Sequence, residues 1–242
     1  KTTTLYSMLN QLNKPDIKII TVEDPIEYQL PGIMQTQIDE AQGYTFASAM
    51  RSLLRQNPNI MMIGEIRDEE TAKIAIEAST TGHLVLSTIH ANSAAGAISR
   101  FSGLGVDRQA LANSLEFSIG QRLVRRICPH CKQTHDVSPE DLNKVKEELD
   151  KIKNPAIKIP EKLTFYKGVG CEQCGQLGYK GRLGLYETIE MTPSIRQIIQ
   201  GDKITDYQIE EEAIKNGMIT MLQDGILKAL AGETTLEEVF QV

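Results

Sequence analysis

The sequence has no tryptophan and no long hydrophobic run. An indole side chain therefore takes part in no site of this chain. The longest apolar stretches are NIMMIG at 59–64 and HLVLSTI at 83–89. Both have the length of a strand and are far shorter than the eighteen or more residues that a membrane helix needs. The sequence therefore predicts no membrane span and no signal peptide.

An excess of positive charge is also missing. The 242 residues contain 26 Lys and Arg against 32 Asp and Glu, which gives a net charge of −6. This balance disfavours a broad nucleic-acid-binding face, and the segment QRLVRR at 121–126 is only a small basic patch. The chain is long enough for one large domain or two modest ones, each with its own core.

Cysteine is scarce, and its placement is informative. The four cysteines form two C-x-x-C pairs, Cys128 with Cys131 and Cys171 with Cys174. This spacing in a cytosolic chain indicates metal binding rather than disulfides, and four thiolates are typical of a closed, structural Zn²⁺ site. An alternative is that His130 or His135 replaces one of the cysteine ligands. A zinc-ribbon nucleic-acid binder is a further alternative, which the acidic balance disfavours.

The first 127 residues alternate helix-like and strand-like segments. This alternation predicts an α/β fold with a mostly parallel sheet and helices on both faces. After the opening helix we expect strands at 17–24, 59–65 and 83–90, a polar extended segment through residue 39, and helices at 45–56, 69–80, 93–104 and 107–118.

The remaining residues have a different character. Between the two cysteine pairs lies a highly charged, helix-like segment at 139–155. A hairpin-like stretch is expected at 181–191, and the tail from residue 193 has apolar residues at helical spacing. We therefore expect three domains, at 1–127, 128–192 and 193–242.

Polar residues follow each of the three predicted strands. In open parallel sheets, ligands bind beyond the carboxyl ends of the strands. Taken singly, such a residue is often a helix cap, and Asp68 is well placed to cap the helix that begins at residue 69. Taken together, these residues indicate a shared site. They are Glu23, Asp24 and Glu27, then Gly64, Glu65, Arg67 and Asp68, and finally His90 and Asn92.

The opening residues extend this hypothesis. Lys1 and Thr2, followed by a helix, match the last two positions of the phosphate-binding loop G-x-x-x-x-G-K-[ST]. In that loop the lysine reaches the β- and γ-phosphates, and the hydroxyl binds Mg²⁺. Glu65 follows an apolar strand, as expected for a nucleotide hydrolase. Since the chain begins without methionine, we expect it to start inside this loop.

Four longer stretches resemble one family, the secretion ATPase superfamily, and within it the assembly motors of type II secretion systems and type IV pili. The resemblance covers essentially the whole chain. ITVEDPIEYQLPGIMQTQID resembles the family's Asp box, and LLRQNPNIMMIGEIRDEETAKIAIEASTTGHLVLSTIHAN its Walker B and His boxes. QRLVRRICPHC with GCEQCGQLGYKGRLGLYE resembles its four-cysteine site, and GMITMLQDGILKALAGETTLEEV its C-terminal helices.

The resemblance implies a RecA-like P-loop core, a zinc-stapled element and a helical C-terminal subdomain, with ATP, Mg²⁺ and Zn²⁺ as cofactors. Glu65 would polarise water or act as general base, Glu23 and Glu27 would position water and Mg²⁺, and His90 would sense the γ-phosphate. Cofactor binding would involve Lys1, Thr2, Arg67 and His83. His83 starts its strand, so a structural role is the alternative. Arg67 would act either locally on the next helix or near a subunit boundary.

The resemblance also implies a homo-hexamer that powers assembly of a type II secretion pseudopilus or a type IV pilus. Its partner would be an inner-membrane platform protein at the cytoplasmic face of that membrane, with no direct contact to nucleic acid. The four cysteines favour an assembly or secretion motor, since retraction and conjugation motors generally lack them. The alternative is a non-catalytic, ring-forming module. Without the glycine-rich loop and an N-terminal domain, the isolated chain is expected to be inactive.

Overall fold

Residues 1–201 and 203–242 are described in a computed structural model. They group into two units, which are described separately. The first comprises Lys1–Asn92, Gly96–Glu116 and Met191–Thr205, and the second Ser93–Ala95, Phe117–Glu190 and Asp206–Val242. Residues 117–127 thus group with the second unit and 191–205 with the first. The three domains expected from the sequence stay a prediction.

The described residues form eight strands and ten α-helices. The strands are β1 (Ile19–Glu23), β2 (Met34–Gln37), β3 (Ile60–Ile63), β4 (Leu84–Ser87), β5 (Phe117–Ile127), β6 (Lys132–His135), β7 (Phe165–Gly168) and β8 (Tyr179–Glu190). The helices are α1 (Thr2–Leu12), α2 (Phe46–Leu54), α3 (Glu69–Thr80), α4 (Ala94–Ser102), α5 (Arg108–Ser114), α6 (Pro139–Asp150), α7 (Pro193–Gln200), α8 (Asp206–Lys215), α9 (Met221–Leu230) and α10 (Leu236–Val239).

A four-stranded parallel sheet organises the first unit. Its order is β2-β1-β3-β4, and every neighbouring pair is parallel. The two central strands β1 and β3 are buried along their whole length, whereas the edge strands β2 and β4 are partly exposed. The predicted parallel sheet is therefore confirmed. The polar extended segment before residue 39 contributes its edge strand β2.

Local sequence signals set the starts of the helices around this sheet. The first N–H groups of a helix lack partners within it, so a side-chain oxygen just before the helix stabilises it. Asp68 Oδ1 accepts a hydrogen bond from the Thr71 N–H at 2.8 Å, which confirms Asp68 as the cap of α3. Thr45 caps α2 in the same way.

The opening helix α1 packs one face against the sheet. Leu5, Tyr6 and Leu9 are buried in a cluster with Ile19 of β1 and Met62 of β3. These positions recur every three or four residues, as expected for the buried face of a helix. The packing sets the first turn of α1 beside the carboxyl ends of the strands.

An antiparallel ribbon of β5 and β8 dominates the second unit, and here two predictions are wrong. The helix expected at 107–118 ends at Ser114, because Phe117 and Ser118 begin β5. A hairpin is expected at 181–191, but residues 181–190 belong to one long strand, β8, which pairs with β5. Its glycines resemble turn residues, but Gly184 lies within the ladder opposite Leu123.

Two further secondary-structure predictions, for the charged segment and for the tail, are confirmed. The charged segment between the cysteine pairs forms α6, which buries Val145 and Leu149 against Phe165 and Ile226. The tail from residue 193 consists of α7 to α10. Among the described residues, no helix combines the length and the apolar character that crossing a bilayer requires.

A charge pair connects β5 to the last helix of the second unit. Glu238 of α10 is buried, and its carboxylate accepts hydrogen bonds from Arg125 Nε at 3.0 Å, Nη2 at 2.7 Å and the backbone N–H at 2.8 Å. The hydrogen bonds from the Arg125 side chain hold the pKa of Glu238 below its usual range, although burial opposes the shift. The guanidinium also lies over the Tyr179 ring.

We therefore predict that Glu238→Gln lowers the melting temperature of the protein in a pH-dependent way. A carboxyl group whose pKa is depressed in the folded state stabilises the fold above its unfolded pKa, which is about 4.3 for Glu. The stabilisation is lost as the pH falls through the folded pKa. Melting curves should show a difference between wild type and variant that is full at pH 7 and shrinks below about pH 4.3.

Glu237→Gln is the matched control. Its side chain is largely exposed, and its carboxylate lies 4.0 Å from His135 Nε2, so a much smaller change is expected. Equal effects of the two substitutions at neutral pH would contradict the role assigned to Glu238.

Candidate functional site

The carboxyl ends of β1, β3 and β4 border a cavity of about 220 Å³ in the first unit. The start of α1 forms another wall. Six residues predicted for the nucleotide site line it: Lys1, Thr2, Glu23, Glu27, Glu65 and His90. The structure thus brings them together, as expected for residues that follow parallel strands.

The first turn of α1 is attached to the segment after β4. Lys1 precedes the helix, and its Nζ donates a hydrogen bond to the Ile89 carbonyl at 2.7 Å. Thr2 is the first helical residue and lines the cavity. The N-terminal end of a helix carries a partial positive charge and backbone N–H groups, which suit an anion.

Glu65 forms the centre of a charged cluster at the end of β3. Its Oε2 lies 2.9 Å from His90 Nε2, and its Oε1 forms an ion pair with Arg67. The Glu65 side chain is only 13% exposed, whereas those of Arg67 and His90 are more than half exposed. A mostly buried carboxylate is thus held by two partners that face solvent.

Glu23 has a different environment, although it belongs to the same cavity wall. It is only 2% exposed, and its carboxylate accepts hydrogen bonds from the hydroxyls of Tyr6 and Thr21 and from Gln35 Nε2, the last at 3.1 Å. Burial and the neighbouring Glu23 raise the pKa of Tyr6 to about 12. Asp24 and Glu27, next along the chain, are exposed.

Two of the predicted cofactor-binding residues do not line the cavity. Arg67 reaches it only through its ion pair with Glu65. His83 lies just before β4, at the amino end of the sheet, where its Nδ1 lies 2.9 Å from the Ala78 carbonyl and 3.1 Å from Thr81 Oγ1. These contacts stabilise the turn between α3 and β4.

Several residues of the site were missed in the sequence. Tyr6 and Gln35 reach the buried carboxylate, and Thr88 donates to the Gly64 carbonyl at 2.8 Å. Tyr6 carried one usable signal: it lies four residues after Thr2, and residues at this spacing share a helix face. The sequence carried no such signal for Gln35, because Gln35 lies beside β1 only through the register that pairs it with Thr21.

The four cysteines form a second candidate site, in the second unit. Their Sγ atoms all lie within 4.8 Å of one another, and three of the separations are 3.7, 3.8 and 3.9 Å. Four sulfurs about 2.3 Å from a tetrahedral Zn²⁺ would be about 3.8 Å apart. The spacing therefore fits the predicted metal, and neither His130 nor His135 belongs to the cluster.

The thiols are held by the surrounding backbone. Burial opposes ionisation, but N–H groups of Cys171 and Gly178 donate to Cys174 Sγ at 3.3 and 3.2 Å. The pKa of Cys174 is lowered to about 6 as a result. Burial raises the pKa of Cys131 to about 11. A bound cation would favour the thiolate form of all four.

Comparisons with known proteins identify relatives over the whole length of the chain. The family described as "Type II/IV secretion system protein" matches residues 1–241. The type IV pilus assembly ATPase PilB of Thermus thermophilus is 46% identical, over 99% of this chain and 26% of its own length. PilB of Pseudomonas aeruginosa is 45% identical, over 100% and 41%. The putative type II secretion system protein E of Escherichia coli is 43% identical, over 100% and 47%.

Solved structures agree in fold. The pilus retraction motor PilT with bound ADP has a TM-score of 0.67 and 26% identity, and the match covers 100% of this chain and 57% of that one. The Legionella pneumophila ATPase DotB has a TM-score of 0.68 at 20% identity, over 100% and 56%, and shares the fold. The chain spans between a quarter and a half of the length of the three curated relatives.

Proposed function

Because the chain belongs to the type II/IV secretion system protein family, we propose that it hydrolyses ATP in a hexameric motor. The motor would power assembly of a type II secretion pseudopilus or a type IV pilus. The main support is the cavity in which the start of α1 meets Glu65 and His90. Relatives whose names contain PilB are called ATPases, which agrees with this chemistry.

The start of α1 suits the phosphates. Lys1 and the N–H groups of the first turn supply positive charge, and the Thr2 hydroxyl is an oxygen ligand. Glu27, with its neighbour Asp24, adds exposed carboxylates to the same cavity. Oxygen ligands of this kind are those that Mg²⁺ prefers. Bound Mg²⁺ would neutralise phosphate charge and orient the γ-phosphoryl group.

Glu65 is the residue proposed to polarise the attacking water. Its carboxylate lies at the cavity, where a carboxylate oxygen is able to accept a hydrogen bond from water, and the ion pair with Arg67 holds it in place. His90, on the other side of the carboxylate, would contact the γ-phosphate. In this proposal Arg67 does not contact the nucleotide but holds the Glu65 carboxylate in place. His83 stabilises the turn between α3 and β4.

The cysteine cluster is proposed to bind structural Zn²⁺. Four thiolates leave no open position for water, so the ion would stabilise the second unit rather than take part in hydrolysis. The separations of the sulfur atoms support this proposal.

We propose that the protein acts at the cytoplasmic face of the inner membrane. Its proposed partner is a platform protein of the assembly machinery, and it is not expected to bind nucleic acid. Relatives from type II secretion and from type IV pili are similarly identical to this chain, at 43% and 45–46%. The proposal therefore covers both systems. Direct support for the partner would come from co-purification of the full-length protein with the platform protein of either system.

We predict that Glu65→Gln in the full-length protein lowers ATP turnover about 100-fold or more and preserves ATP binding. The amide keeps the size of the side chain but cannot accept a proton. Steady-state phosphate release and nucleotide titration measure the two effects. Glu69→Gln is the control, because Glu69 pairs with Lys73 on the exposed side of α3. Unchanged turnover in Glu65→Gln would remove Glu65 from the chemistry.

The two histidines should differ. His90→Ala is expected to slow turnover about tenfold or more, since a contact to the reacting phosphate is lost. His83→Ala is expected to affect the melting temperature more than the rate, because its ring contacts the backbone at Ala78. Measurement of turnover and of melting for both variants tests this, and a larger rate loss in His83→Ala would refute the assignment.

Metal analysis of the purified protein should find one zinc per chain. Cys131→Ser removes one thiolate and is expected to lower both zinc content and melting temperature. His130→Ala, next to the same cysteine, should leave both unchanged. Protein purified without zinc, or loss of zinc in His130→Ala, would contradict the four-cysteine site.

A further inference from the structure

The buried carboxylate of Glu23 joins three separate elements of the first unit. The Tyr6 hydroxyl donates to Oε2 from α1. The Thr21 hydroxyl donates to Oε1 from β1, and Gln35 Nε2 donates to the same oxygen from β2. Every oxygen of this carboxylate therefore has a partner within the protein.

The Tyr6–Glu23 contact lies one turn after the start of α1, which is the end of the helix proposed to bind the phosphates. Tyr6 follows Thr2 by four residues, so the two side chains lie on one face, one turn apart. The Tyr6 side chain is almost fully buried. A displacement of Tyr6 would thus displace Thr2 with it.

The contact from β2 reaches the loop that carries the exposed acids. Gln35 Oε1 accepts a hydrogen bond from the Leu30 N–H at 2.6 Å, and its Nε2 also donates to the Tyr28 carbonyl at 3.1 Å. Both residues belong to the segment between β1 and β2 that contains Asp24 and Glu27. The same side chain thus connects this loop to Glu23.

Removal of these partners would be unfavourable. A buried carboxyl group without hydrogen-bond partners is strongly destabilising, so Glu23 is held in its present contacts. Asp24 and Glu27 are exposed and line the cavity, so they are able to bind a metal ion without such a loss.

From this geometry we infer that Glu23 and Tyr6 are positioning residues rather than ligands of Mg²⁺ or nucleotide. Their hydrogen bond holds Thr2 and the carboxylates of Asp24 and Glu27 in a common arrangement around the metal and phosphates. This inference rests on the proposed ATP hydrolysis.

Tyr6→Phe in the full-length protein tests the inference, because it deletes only the hydroxyl. We expect kcat to fall about tenfold with KM for ATP changed less than twofold, since the residues that contact ATP are all retained while their arrangement is relaxed. Tyr28→Phe is the control: its ring packs edge-on against Tyr6 at 4.7 Å, but it is half exposed. Its kcat and KM should equal those of wild type.

A double-mutant cycle of Tyr6→Phe with Glu23→Gln tests whether Tyr6 affects turnover through its hydrogen bond to Glu23. If Tyr6 acts through Glu23, then Tyr6→Phe added to Glu23→Gln should lower kcat less than twofold further. The same cycle in thermal unfolding without nucleotide should show a combined loss of melting temperature smaller than the sum of the single losses. Should Tyr6→Phe prove too unstable to assay, Thr21→Val removes a second donor at similar volume and should give the same split between kcat and KM.

The outcomes are distinct. Turnover of Tyr6→Phe within twofold of wild type, a main effect on KM, or additive losses in both cycles would each overturn the inference while the proposed function stands. A full-length wild-type protein that binds but does not hydrolyse ATP would instead overturn the proposed function, and this inference with it.

Discussion

The parallel pairing of β1 with β3, buried along the whole length of both strands, is the constraint on which the first unit depends. Parallel strands end at the same edge of a sheet, so the residues that follow them meet there whatever their distance in sequence. The strands are short and apolar, because both faces are covered. Packing of α1 on the same sheet adds Lys1 and Thr2 to that edge. The close grouping of polar residues at this edge is thus a direct consequence of the parallel pairing.

Buried carboxylates connect elements in both units. Among the described residues, three glutamates are buried: Glu23, Glu187 and Glu238. Each accepts more than one hydrogen bond. The Glu187 carboxylate accepts hydrogen bonds from the backbone N–H groups of Ala94 and Met221, at the starts of α4 and α9. Because a buried charge requires donors, each of these residues forces particular backbone segments together. Glu65 differs, since its partners Arg67 and His90 face solvent. Anchored and accessible carboxylates therefore occupy neighbouring strand ends.

The cysteine cluster lies in a part of the second unit with little apolar burial. The β6–β7 pair is short, and the strand residues of β6 are exposed, so apolar burial there is limited. Four thiols on two chain segments, Cys128–Cys131 and Cys171–Cys174, converge beside the β5–β8 ribbon. A metal ion at this point would stabilise a region that has little core of its own.

The sequence by itself determined those features that local patterns encode: the apolar strands, the Asp68 cap, the polar strand ends and the two cysteine pairs. Each depends on neighbours within a few residues. Only the tertiary structure decided that residues 179–190 pair with β5 rather than fold into a hairpin, and that Gln35 and Tyr6 enclose Glu23. It also favours one of the two roles that the sequence left open for His83, which lies away from the cavity that His90 lines. These features depend on strand register and on donors that are distant in sequence, and no local pattern specifies which distant donor a buried carboxylate will find.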